Sequence, residues 1–331
     1  MASREPLFGE ELRGSRCVVA GSAPGDTRAL GVGQPGRRWG AQGLCLALGL
    51  LSAACSRETV SLGDGKWKPS PWAFSAPQRL DSLDTEELDD DATLTRDGLH
   101  IFYGSERKED GGQGMEDIWT AERGSLTEDW GAPSPVSAVS SPARETSAAI
   151  APDGLTLWFS SNRPGASEGY DVWVSARSSL TEAWATPHVV RELSGPGDDR
   201  PRPPIDGNTL MPLAVESSGE PPDLYLAERS DKGAPWGRPY PIDELNTAKG
   251  EGDPFLTSDG LTLFFASDAE GQSDLMVAER PSLTEPFGEP QLVAGVNSDG
   301  SETDPFLSAD GKTLYFTSDR DGTQDVYVAT R

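Results

Sequence analysis

An Asp-Gly pair returns five times along this chain, at Asp97-Gly98, Asp153-Gly154, Asp206-Gly207, Asp259-Gly260 and Asp310-Gly311, at intervals of 56, 53, 53 and 51 residues. Each pair precedes an alternating apolar run. A lone Asp then opens a second run, at Asp117, Asp171, Asp223, Asp274 and Asp325. A unit of about fifty residues made of short apolar runs cannot bury its own apolar face and must stack on copies of itself.

Within one unit four strand-like pieces can be traced. In the fourth they are Pro254–Thr257, Leu261–Ala266, Leu275–Ala278 and Gln291–Val293. Aromatic and β-branched residues with polar or glycine punctuation favour strands over helices. Ser258-Asp259-Gly260 joins the first two pieces as a tight turn, and a longer polar loop such as Ser318–Gln324 joins the second and third. Four antiparallel strands per repeat make one propeller blade.

The blade count follows from a displaced fragment. After the third strand comes an aromatic with a nearby proline, at Trp130–Pro133, Trp184–Pro187, Trp236–Pro239 and Phe287–Pro290. The fifth repeat stops at Arg331 without it, whereas Trp72–Leu80 supplies such a piece at the other end. An N-terminal strand completing the last blade closes the ring and leaves no open edge. The expected fold is all-β, a five-bladed propeller of four-stranded antiparallel blades over residues 72–331.

The preceding segment reads as an export signal. Arg37-Arg38, the apolar run Leu44–Leu51 and the small residues Ser52–Ala54 describe a signal peptide over 1–54. The run is too short for the ~20 residues of a membrane span. Residues 1–36 lack such a run and read as an over-extended start, with translation beginning near Val32. Cys55 is then the sole cysteine left, without an internal disulfide partner. Residues 55–71, rich in Gly, Ser and Lys with late prolines, read as the attachment cysteine and a flexible tether.

Residues 1–54 hold six of the 28 basic and four of the 54 acidic residues, leaving 22 basic against 50 acidic, a net charge of −28 over 277 residues. Such a field repels nucleic acid and anionic lipid.

With these residues in view, two resemblances stand out. Ser308–Arg320 with Asp325–Val328, and Ala151–Arg163 with Asp171–Val174, resemble the WD40-like propeller repeats of TolB and many exported bacterial proteins. Repeat three departs, with Pro203-Pro204-Ile205 before its turn and Pro212 inside its second strand, which makes it the expected irregular blade. The segment ending at Cys55 resembles a bacterial lipoprotein signal, although Ser52 stands where that family usually has Leu. That resemblance implies a diacylglycerol thioether on Cys55 and, with Ser56 next, the outer membrane. Ser52 and Ala54 also suit an ordinary signal peptidase cutting at the same bond.

Among candidate sites, an acid stands eight residues before each turn Asp: Asp89, Glu145, Asp198, Glu251 and Glu302. First strands line a propeller's channel, so five copies make a possible carboxylate ring at one mouth, suited to a cation or a basic peptide. The plainer reading is five hydrogen-bonded or exposed loop acids. Asp319, Asp321 and Asp325 look like a calcium loop, yet such a loop needs at least six oxygen ligands and repeats one and three lack the spacing. The repeated Asp is better read as a loop cap, and no metal or cofactor is expected. Trp72, Trp130, Trp184, Trp236 and Phe287 recur with the repeat and suit packing between blades, whereas Trp67 and Trp119 fall outside the pattern as candidates for exposure.

Only His100 and His188 follow residue 54, and no nucleophile-elbow motif is present. The expectation is a non-catalytic binding or scaffold module, monomeric and anchored to the membrane only through its lipid. Its partner is a protein or cell-envelope ligand and not a nucleic acid. The alternative is a carbohydrate-active enzyme or glycan binder using channel carboxylates, since five-bladed propellers include glycoside hydrolases.

Overall fold

The computed structural model describes residues 69–108, 111–113, 115–165, 167, 169–205 and 207–331, all within a unit spanning Arg57–Arg331. The signal segment, Cys55, Trp67 and Asp206 lie outside the described residues.

Five antiparallel blades follow one another around a ring. Blade one holds β3 (Asp89–Leu94), β4 (His100–Ser105), β5 (Asp117–Glu122) and β6 (Ser134–Pro135). Blade two holds β7 (Glu145–Ile150), β8 (Thr156–Ser161), β9 (Asp171–Ala176) and β10 (His188–Val189). Blade three holds β11 (Asp198–Pro201), β12 (Leu210–Glu216), β13 (Asp223–Glu228) and β14 (Tyr240–Pro241). Blade four holds β15 (Glu251–Leu256), β16 (Thr262–Ser267), β17 (Asp274–Glu279) and β18 (Gln291–Ala294). Blade five holds β19 (Glu302–Leu307), β20 (Thr313–Ser318) and β21 (Asp325–Thr330), and its outer strand is β2 (Gln78–Arg79) from the other end of the chain. Gln78 pairs with Val328 and Arg79 with Tyr327, so the expected closure is present.

One part of that expectation needs correction. The chain does not join blade five at residue 72. Strand β1 (Pro69–Ala73) runs parallel to β18 as a fifth, outermost strand of blade four, and only then does the chain cross to blade five. The flexible tether expected over 55–71 therefore ends in a strand. Trp72 explains the detour. Its ring meets Phe264 of blade four edge-on at 5.0 Å, and its indole N–H donates to Glu279 Oε1 at 2.9 Å.

The repeated aromatics join neighbouring blades. Trp184 packs edge-on against Phe102 and Trp236 against Trp158, each pair reaching from one blade to the next. A guanidinium lies over each ring. Arg123 covers Trp130 at 4.2 Å, Arg177 covers Trp184 at 4.4 Å, Arg229 covers Trp236 at 4.2 Å and Arg280 covers Phe287 at 4.5 Å. The fifth copy is made by the chain's two ends, with Arg331 over Trp72 at 4.1 Å. Trp119 is not exposed; it is 1% accessible inside the blade core beneath Arg107.

Deleting residues 69–80 strips β1 and β2 and bares the edges of β18 and β21. The expected outcome is loss of the cooperative thermal transition and concentration-dependent association, read by calorimetry and light scattering.

Candidate functional site

The innermost strands β3, β7, β15 and β19 share a fault that shapes the channel. In each the register slips by one residue, between Asp90 and Thr93, Thr146 and Ala149, Gly252 and Phe255, and Thr303 and Phe306. At the slip Asp91, Ser147, Asp253 and Asp304 take φ near +53°, in the left-handed region. Asp tolerates that region better than most residues, yet each instance costs about 1–3 kcal/mol and persists only where its surroundings fix it. A bulge of this kind re-aims side chains.

Blade three breaks the pattern for a stated reason. The corresponding residue is Pro201, whose ring locks φ near −65° and forbids a positive value. The pairing therefore runs on regularly through Pro201 opposite Leu213, with Arg202 N–H donating to the Pro212 carbonyl at 3.0 Å. Arg202 thus stands where the other blades carry the bulge. Its Nη1 lies 2.6 Å from Asp91 Oδ1, and its Nη2 donates to Asp253 Oδ1 and Asp304 Oδ1. Residues of blades one, three, four and five meet at this guanidinium, which is 3% exposed. Blade two adds Thr146 Oγ1 and Ser147 N–H, which donate to Asp91 Oδ2 at 2.7 and 2.8 Å. The five blades are bolted together on the axis.

The bolt is short of positive charge. Burial and then Asp304 push Asp91 up to about 6. Beside it, burial and then Asp91 push Glu116 up to about 8, while burial and then Glu116 hold Asp90 well above the carboxylate range. The facing oxygens Asp90 Oδ1 and Glu116 Oε1 are buried without partners. The charges around Glu116 are Asp90, Asp91, Glu106 and Arg144.

The five acids singled out in the sequence lie at the starts of the inner strands, and Asp89, Glu251 and Glu302 stand two residues before Asp91, Asp253 and Asp304 of the bolt. They do not form an open ring. Asp89, Glu145, Glu251 and Glu302 are buried, and each accepts bonds from the loop residue four positions earlier, namely Thr85, Ser141, Thr247 and Ser298. Ser161, Ser267 and Ser318 complete the set in blades two, four and five. In blade three Asp198 is not the equivalent. Its neighbour Asp199 accepts the Gly195 N–H at 2.6 Å, and Asp198, 26% exposed, bonds Tyr170 N–H and Arg200 instead. The count from the turn misses by one because Gly207-Asn208 occupies the place of the other Asp-Gly pairs. Asn208 N–H bonds the Ile205 carbonyl as Gly98 N–H bonds that of Thr95, and Asn208 takes φ +54°.

At the other ends of the inner strands the channel opens into a cavity of ≈ 290 Å³. Leu94, Ile150, Ile205, Phe255 and Phe306 form its apolar wall, and Arg96, Ser258, Asp259, Ser308 and Asp310 stand at its turn-bearing rim. The hydrogen bond from the Ser308 hydroxyl holds Asp310 below the usual carboxylate range. From one end to the other the axis thus carries capping acids, an arginine bolt and an apolar mouth.

No protein-family model matches the chain, and no curated protein matches it. Similar solved structures share its architecture. TolB from Acinetobacter baumannii is 14% identical with a TM-score of 0.48, over 76% of this chain and 56% of that one. An α-L-arabinofuranosidase from Podospora anserina, in complex with cellotriose, is 12% identical with a TM-score of 0.51, over 80% and 96%. An endo-arabinase from Bacteroides thetaiotaomicron is 12% identical with a TM-score of 0.48, over 78% and 97%. The likeness is one of fold. Its members include both a Tol protein and glycoside hydrolases, and at these identities they do not choose between binding and catalysis. Among the described residues no helix is long and apolar enough to cross a membrane.

Two expected outcomes test the bolt. Arg202→Met leaves buried carboxylates without their cation and is expected to cost about 3–5 kcal/mol in urea unfolding, with partial recovery at low pH as the acids protonate. Glu116 holds its proton to a higher pH in the folded chain, so its contribution to stability falls as pH rises from about 4.5 to about 8. Glu116→Gln is expected to flatten that fall in a pH series of denaturation midpoints.

Proposed function

We propose that this chain is a non-catalytic binding module that receives an apolar group of a partner in the mouth ringed by its Asp-Gly turns. The observation that carries the reading is the division of labour along the axis. The deepest carboxylates are closed over Arg202, while the open concavity is apolar.

Glycoside hydrolysis asks for two individually placed acids facing a sugar, typically ~5–10 Å apart, one of them with a raised pKa. Here the acids that line the cavity are Asp259 and Asp310, and Asp310 is shifted downward, while Asp91 and Glu116, whose pKa values are raised, are buried around the bolt. The cavity lies at the low end of the ~300–1,000 Å³ of small-molecule sites. With walls of Phe, Leu and Ile, it suits one or two apolar side chains of a protein better than a run of hydroxyl-rich sugars. Export and anchoring through Cys55 belong to the same proposal, as does a partner in the cell envelope.

A photocrosslinking residue at Ser258 or Ser308 is expected to capture one discrete envelope partner in native cells. Phe306→Ala and Ile150→Asp are expected to weaken that capture at least tenfold, ~1.4 kcal/mol. Sugar release from an arabinan or xylan panel, abolished by Asp304→Asn in a variant that remains folded, is the outcome that would overturn the reading in favour of an enzyme.

A further inference from the structure

One junction between blades carries cations that the equivalent positions elsewhere lack. Each junction sets the outer strand of one blade beside the next blade's loop from its covering arginine to its aromatic. Between blades two and three these parts line a cleft of ≈ 530 Å³. Val174, Val189, Val190 and Pro235, with Trp158 and Trp236, make its apolar wall. Its polar lining is Thr156, His188, Arg191, Glu192, Arg229 and Lys232.

Comparison with the other blades separates what the repeat requires from what it does not. Arg229 belongs to the repeat, since it covers Trp236 as its counterparts cover their aromatics, and its Nε donates to the Asn208 carbonyl at 2.5 Å. Lys232 does not. Three residues after the covering arginine, blades one, two and four place Leu126, Leu180 and Leu283. His188 and Arg191 flank Val189, which pairs with Trp173, one residue before it and two after. The pairings of the other outer strands put Ser134 and Ser137, Tyr240 and Asp243, Gln291 and Ala294, and Gln78 and Asp81 in those two places. Three basic side chains without a basic counterpart in any other blade therefore converge on one cleft.

Their donors are open. Among the described residues no hydrogen bond or ion pair holds the His188 ring or the Arg191 guanidinium, and both residues are exposed. The acid that feels the Arg191 charge, Asp171, is buried inside blade two. Lys232 pairs with Asp153 of blade two, at 52% and 39% exposure. An exposed pair of this kind adds little stability, and it leaves two of the three ammonium donors for another acceptor. Among the described residues Glu192 is the one acid in the lining, while Asp231, beside Arg229, accepts the Gly233 N–H at 2.9 Å. The negative charge of the rest of the chain does not forbid an anion here, because charges more than ~8 Å away are largely screened at physiological salt.

We infer that this cleft binds a small organic anion, with its oxyanion head on Arg191 and Lys232 and its apolar body against Val189, Val190 and Trp236. Guanidinium and ammonium groups make charge-assisted hydrogen bonds to carboxylate or phosphate oxygens. The volume falls within the ~300–1,000 Å³ of small-molecule sites, and an apolar wall with a few convergent polar groups is their usual make-up. His188 and Thr156 add hydrogen-bonding groups beside the head. The cleft lies at the outer strands, away from the axial mouth, so the two sites can be occupied independently.

The test is calorimetric titration of the full chain with phenyl phosphate and with benzoate, using inorganic phosphate and phenol as the head and the body alone. The expected result is one saturable site per chain for at least one of the two aryl anions, at least tenfold tighter than for inorganic phosphate or phenol. The tighter of the two identifies the head. Lys232→Leu copies the residue of blades one, two and four, and Arg191→Ser copies Ser137 of blade one, so both are expected to fold with an unchanged thermal midpoint. Each is expected to weaken binding at least tenfold. Lys108→Gln, which removes an 80% exposed lysine elsewhere, is expected to leave binding as it was. The absence of a saturable site, binding that persists unchanged in both Lys232→Leu and Arg191→Ser, or an equal loss in Lys108→Gln would overturn the assignment.

Discussion

Every other feature of this molecule presupposes that residue 79 lies beside residue 327. Two backbone pairings of β2 on β21, with the Leu80 N–H on the Val326 carbonyl, turn an open stack of five sheets into a ring. The entropic cost of joining segments some 250 residues apart is met mostly once, since loop closure grows only as the logarithm of length. The two ends also bring side-chain contacts to the seam. Arg331 lies over Trp72 as its counterparts do elsewhere, so the junction between the ends reuses the packing of the junctions within the chain.

Repetition accounts for much of the architecture, and its failure in one repeat accounts for the axis. Identical blades would bring like charges together at the centre. Three aspartates there are held by a single guanidinium, supplied by the blade in which Pro201 cannot adopt the conformation of its counterparts. A local steric veto in one strand thereby provides the cation that the other strands require. The remaining charge deficit is spread over Asp90, Asp91 and Glu116, whose raised pKa values record the strain of burial.

The blades, their number and the swapped outer strand were legible because each depends on local turn chemistry and on counting. Repeat three was legible as irregular from its prolines, but the consequence was not. Arg202 sits in a Pro-Arg-Pro-Pro run whose three-dimensional partners are Asp91, Asp253 and Asp304, and spacing alone cannot say which side chains cross a channel. The Asp-x-Asp and Glu-x-Asp pattern at Asp89, Glu251 and Glu302 was available as a pointer to those three residues. Counting back from the turn found the capping acids in four blades and slipped to Asp198 in the one where Asn208 replaces glycine at the left-handed position. The placement of β1 on blade four had no periodic signal at all, since no repeat contains a fifth strand.

That fifth strand also decides how the molecule meets a pulling force. β1 is the outermost strand of blade four and precedes β2 in the chain, so tension drawn through the backbone ahead of Pro69 reaches the β1–β18 pairing before the pair that shuts the circle. Blade four acts as a mechanical fuse: it can shed its outer ribbon under load while the circle behind it stays locked.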